Sequence, residues 1–263
     1  MLAISSGELQ HWLAMFFWPL CRIAAFLMSD PLLGHTSIPN TVKISFAVLL
    51  SVLLAPVLPP MPDVAVASWE SLGIVVEQLL IGASLGMVMR VTLAAVEMAG
   101  EICGMQMGLA FASFYSAESN TNTMVLSRLL SMTTLLMFLA LDGHLLVLQL
   151  LASTFQTLPI GNLRFDPSSW QMVARYGSHI FLTGLLLALP MVAALLMINL
   201  AMGILNRAAP QLTVFAVGFP VTLSTGLVLL MALTGHLGHF IGLLLNESLH
   251  FMQMLVEHMI APT

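Results

Sequence analysis

Residues 100–122 read GEICGMQMGLAFASFYSAESNTN. Gly100, Gly104, Gly108 and Ala112 recur every four residues, so on a helix they form a ridge without bulk against which another backbone packs closely. Met105, Met107, Phe111, Phe114 and Tyr115 crowd the end of that ridge, and a polar turn follows at once. A bare helix leading into a soft aromatic tip suits a device that closes a hole. A tightly packed membrane helix followed by an ordinary polar loop fits the same residues, because small-residue stripes and interfacial aromatics are both common in membrane bundles.

Upstream, the helical signal hardly pauses from Trp69 to Ala112. At 1.5 Å per residue such a helix runs roughly 65 Å, about twice the hydrocarbon thickness of a bilayer, so it must bend, break or leave the membrane. Arg90, Glu97 and Glu101 fall within about 40° of one another on it, and Gly108 shares their face. A charge at bilayer depth costs at least ~2.5 kcal/mol, so this face packs on protein or lines water. With Arg128 these residues form a candidate buried charge network, either an ion-paired interface that sets register or an ion pathway.

The rest of the chain has the same character. Of 263 residues 59% are hydrophobic and only 7% charged, with net charge −5 and mean hydropathy +1.00. Soluble domains carry roughly a quarter charged residues, so the composition specifies an integral membrane protein, and its long apolar segments are expected to make it all-α. No basic stripe interleaved with aromatics exists for nucleic acid. Leu9–Met28 is long enough for one crossing and ends at Asp30-Pro31. Ile44–Leu58 returns and ends in Pro56, Pro59, Pro60 and Pro62. Met124–Leu141 closes at Asp142-Gly143, and His144–Leu158 follows. Ser168 and Ser169 signal a helix start. Tyr176–Asn206 contains Pro190, which is expected to kink it. Arg207, Pro210 and Gly218-Phe219-Pro220 punctuate two apolar segments as in discontinuous membrane helices, with Arg207 equally able to cap a broken helix. Val221 to about Met259 is again longer than one crossing needs. With no internal repeat and no linker, residues 1–263 read as one membrane-embedded domain.

Several motifs point to chemistry and fail on context. Gly82-Ala83-Ser84-Leu85-Gly86 matches the nucleophile elbow, but no strand precedes it, and it reads as another small-residue stripe. His236 with His239, and Glu247 with His250, have metal-compatible spacing but no third partner motif, so neither a metal nor any cofactor is expected. Cys21 and Cys103 are apolar core residues. No phosphate-binding glycine loop occurs, and the N-terminus has no basic leader. Overlong apolar segments bearing charge, together with twenty methionines, fit an obligate assembly component covered by other subunits. The rival from another class is a secondary transporter for a small solute, built on the charged stripe and the breaks at Pro190, Pro210 and Pro220.

Four blocks stand in order at consistent spacing: FFWPLCRIAAFLMSDPLL (16–33), IPNTVKISFAVLLSVLLAP (38–56), LDGHLLVLQLLASTFQTLPIG (141–161) and GILNRAAPQLTVFAVGFP (203–220). With the opening stretch they make the chain resemble the FliR family of flagellar type III export gates, and more distantly the matching injectisome subunit. The tail after Leu223 matches poorly. The resemblance implies long, kinked helical hairpins forming part of a multi-subunit gate in the bacterial inner membrane, within the flagellar basal body. It implies FliP and FliQ as partners, FlhB and FlhA nearby, contact with membrane lipid, and unfolded flagellar proteins as cargo. It also implies that Gln106–Asn122 is a pore plug, with Phe111 and Phe114 at its aromatic positions. Tyr115 and the run SAESNTNT (116–123) depart from the family's turn. Seven basic residues are too few to set orientation.

Overall fold

A computed structural model describes residues 6–62, 64, 68–110, 125–161, 167–208 and 217–260. Its elements are α1 (Ser6–Ser29), α2 (Asn40–Leu54) with a 3-10 turn at Ala55–Val57, α3 (Trp69–Gln106), α4 (Val125–Ala140), α5 (Gly143–Thr157), α6 (Pro167–Tyr176), α7 (His179–Ala208) and α8 (Phe219–Ile260). No strand occurs among the described residues. Among the described residues five segments are long and apolar enough to cross a membrane, and α4 with α5, bent by 67° at their break, forms a broken span or a re-entrant loop. The chain is an all-α integral membrane protein. α3, α7 and α8 run 38, 30 and 42 residues, or roughly 57, 45 and 63 Å at 1.5 Å per residue, each beyond the ~30 Å hydrocarbon core.

The packing divides the chain into two compact units, one of Met1–Arg90, Asp142–Tyr176 and Asn246–Thr263, the other of Val91–Leu141 and Gly177–Leu245. In the first, α1 and α3 run parallel and meet at glycines. A Cβ on Gly82 would overlap the Arg22 carbonyl and stand 2.9 Å from Phe26 N, and one on Gly86 would stand 2.8 Å from Phe26 O. The Gly82-x-Ser84-x-Gly86 motif is therefore a helix-crossing surface, and Ser84 is buried with its hydroxyl donating to Ile81 O at 2.8 Å.

Arg22 lies at this crossing, fully buried at 0% exposure. Its Nε donates to Gln78 Oε1 at 2.7 Å, Nη1 to Thr154 O and Oγ1 at 3.0 and 3.1 Å, and Nη2 to Leu158 O at 2.9 Å. The guanidinium stands 4.4 Å from the centroid of Phe155. A planar cation with five donors thus caps the end of α5, adding a second donor to Thr154 O, which also accepts from Leu158 N at 2.8 Å, and satisfying Leu158 O just past the helix.

The turn after α1 is built by Asp30, whose Oδ2 accepts from Leu32 N at 3.0 Å and Leu33 N at 2.8 Å. Burial raises the Asp30 carboxyl above the ordinary carboxylate range, against these two N–H bonds and the charge of Arg90. Gly34 closes the turn where a Cβ would meet the carbonyl oxygens of Asp30, Met28 and Leu27, and Lys43 Nζ donates to Gly34 O at 2.9 Å. The end of α8 completes this unit. Phe251 stacks on Tyr176 with ring centroids 3.9 Å apart, and Met252 and Leu255 are fully buried.

In the second unit α3 and α4 pack antiparallel. A Cβ on Gly100 would stand 2.9 Å from Ser127 N, Ser127 Oγ donates to Glu97 O at 2.8 Å, and Ser131 Oγ donates to Glu97 Oε1 at 2.8 Å. Gly184 of α7 approaches Ala95 O as closely. The core gathers Ala99, Cys103, Met107, Leu126, Ala188, Met191 and Leu195. α7 runs unbroken through Pro190, which corrects its assignment as a helix break. One lost N–H bond is tolerated within a 30-residue run of strong apolar helix formers, as in other membrane helices. Pro220 is the second residue of α8, where a helix needs no N–H. Arg207 is exposed in the last turn of α7, complementing the helix dipole. Pro210 lies outside the described residues.

Candidate functional site

The candidate site is the end of α3. Its last turns are buried on one side by Gly100, Gly104 and Cys103. Beyond Gln106 the chain makes a closing turn in which Gly108 N donates to Met105 O and Leu109 N to Gly104 O, both at 3.0 Å. Gly108 has φ +83°. This pair of bonds around a left-handed glycine is the Schellman motif, which satisfies carbonyls that the helix end leaves open. Gly108 therefore stops the helix, correcting its place on the packing ridge. Gly100 lies on the ridge against α4, and Gly104 is buried one turn further on.

The turn is pinned within its unit. Met107 is 1% exposed and belongs to the core, so it is an anchor and not one of the side chains facing an aperture. A Cβ on Gly226 of α8 would lie 2.5–2.8 Å from Met107 Cγ, Sδ and Cε. The Thr222 hydroxyl lies 3.1 Å from Phe219 O and 3.4 Å from Met107 O. Met105 by contrast is 52% exposed, and Gln106 is half-buried. Beside them opens a cavity of about 350 Å³ lined by Met105, Gln106, Gly108, Asn199, Met202, Gly203, Asn206, Gly218, Phe219 and Thr222. Phe111, Phe114 and Tyr115 lie outside the described residues.

The four charges expected to form a buried network are not buried by this chain itself. Arg90, Glu97 and Arg128 are exposed and Glu101 is half-buried. Glu97 takes its hydrogen bond from Ser131. The helical period that aligned these residues places them on a face that the chain leaves largely uncovered, whereas it does cover Arg22 and Asp30. An arginine alone in an apolar segment was the available signal for Arg22. Nothing in the local sequence marked Thr222 or Gly226 as partners of Met107, because contacts more than a hundred residues apart leave no trace in spacing.

His236, His239 and His250 are exposed, and no group of three or more His, Cys, Asp or Glu converges among the described residues. Ser168 Oγ and His258 Nε2 are within hydrogen-bond distance at 3.1 Å.

Span-length helices packed through small-residue crossings define an all-α integral membrane protein. The chain matches the family described as bacterial export proteins, family 1, over residues 13–248, and it belongs to that family, which includes the FliR proteins. It is 42% identical over 259 residues to the flagellar biosynthetic protein FliR of Escherichia coli (strain K12), covering 98% of this chain and 99% of that one. It is 43% identical over 230 residues to FliR of Pectobacterium carotovorum subsp. carotovorum, covering 88% of each, and 27% identical over 219 residues to that of Bacillus subtilis (strain 168), covering 82% and 84%. The family match continues past Leu223 to residue 248, so the tail resembles the family more closely than its sequence suggested. The protein is a membrane component of flagellar export.

Proposed function

We propose that the chain is a structural and gating subunit of the flagellar type III export channel, passing unfolded flagellar proteins across the bacterial inner membrane, with residues 106–122 closing the channel. The supporting observation is the pinned end of α3. Met107, Gly108 and Thr222 fix the point from which a segment carrying Phe111, Phe114 and Tyr115 departs, and Met105 stands exposed at its base. Apolar side chains at a constriction stop ions by excluding water and part for a polypeptide. An immobile base lets such a segment shift without unfolding the helix that carries it. The uncovered Arg90, Glu97 and Arg128 are shielded by other subunits, FliP and FliQ in the gate with FlhA and FlhB nearby, because lipid would make their exposure costly.

Affinity purification of the tagged chain from flagellated cells in mild detergent is expected to co-elute FliP and FliQ, and the chain alone in proteoliposomes is expected to take up no solute. A monodisperse monomer, or solute uptake by the chain alone, supports the rival transporter and overturns the gate.

A further inference from the structure

We infer that the cavity at the end of α3 is a binding site for an extended stretch of polypeptide backbone, and that its occupant is the unfolded chain under export. The inference rests on the gate assignment and adds to it a site where cargo is held.

Three carboxamides line the cavity, Gln106 from α3 and Asn199 and Asn206 from α7, and no charged side chain does among the described residues. A carboxamide carries both a donor and an acceptor, as a peptide group does, so it pairs with a backbone whatever side chains that backbone bears. The remaining wall is largely Met105, Met202 and Phe219, and flexible thioethers adapt to side chains of different shape. Cargo of many sequences needs this combination. A bare ion finds no compensating charge on the described part of these walls. The volume, about 350 Å³, lies at the lower end of the ~300–1,000 Å³ range of ligand sites and accommodates a few residues of extended chain.

One residue makes the site testable without disturbing the fold. A Cβ on Gly203 meets nothing within 4 Å, so Gly203→Leu puts bulk into open space while replacing a helical glycine with a better helix former. The experiment uses the assembled gate in cells, with a photocrosslinking amino acid at position 199 and an export substrate fused to a tightly folded domain that jams the channel. The expected result is a crosslink to the jammed substrate, reduced at least fivefold by Gly203→Leu and by Asn206→Leu, with the variants still co-purifying with FliP and FliQ. A crosslink only to this chain, to lipid or to another subunit overturns the site, as does undiminished substrate crosslinking in both variants. Export continuing with no crosslink at position 199 defeats the site while leaving the gate assignment intact. Loss of co-purification in the parent chain defeats the gate assignment itself.

Discussion

Arg22→Ala is expected to lower the stability of the purified chain by at least about 4 kcal/mol, read as the midpoint of denaturation in mild detergent. The substitution removes the donors to Gln78 Oε1 and Leu158 O, at 2.7 and 2.9 Å, and one of the two donors to Thr154 O, which keeps Leu158 N. Each buried acceptor left without a donor costs roughly 1–3 kcal/mol, and the space vacated beside Phe155 adds a cavity penalty. Water does not relieve the cost, because Arg22, Phe155 and Leu158 are all within 1% of full burial. Arg22→Lys is expected to recover less than half of the loss, since an ammonium is a point charge and cannot span three acceptors on two helices as the guanidinium fork does. A change below about 1 kcal/mol for the alanine variant, less than a single orphaned acceptor, contradicts this account of the α1–α3–α5 junction.

Gly82→Ala is the second large effect. One methyl at position 82 would overlap the carbonyl of Arg22 and press on Phe26 N, and both are backbone atoms of α1. No side chain can rotate away, so α1 and α3 must separate, at roughly 3 kcal/mol or more for an overpacked contact of this kind. Separation also draws Arg22 from Gln78, so the two substitutions should be less than additive in a double mutant. Gly73 is the internal control. It lies on the same helix, and a Cβ there meets nothing within 4 Å, so Gly73→Ala is expected to be neutral or to stabilise by about 0.5–1 kcal/mol through reduced backbone entropy. Equal effects at positions 73 and 82 would show that the helix crossing does not depend on a bare surface at Gly82.

Much of this architecture could be read from the chain because hydrophobic runs and their breakers are local. Leu9–Met28, Met124–Leu141 and Val221–Met259 anticipate α1, α4 and α8 within a few residues, since Asp30-Pro31, Asp142-Gly143 and Pro220 stop or start helices by their own backbone chemistry. Gly108 shows where local chemistry is ambiguous. A glycine four residues after another fits a packing ridge as well as it fits a helix stop, and only the bonds from Gly108 N and Leu109 N decide between them. Arg22 and Glu97 show what periodicity cannot decide. Both are charges in apolar helices, yet one is enclosed by acceptors on α3 and α5 and the other is exposed, because enclosure depends on which distant helix ends arrive beside the charge. The cavity was illegible for the same reason, its carboxamides coming from helices almost a hundred residues apart.

The proposed gating role depends on the segment that follows Gly108, and ion conductance of cells carrying the assembled gate tests it most directly. Removing Leu109–Ser119 while keeping the pinned turn at Met107 and Gly108 is expected to raise ion leakage well above that of cells with the intact chain, with FliP and FliQ still co-purifying. Leakage unchanged in a fully assembled gate would contradict closure by this segment.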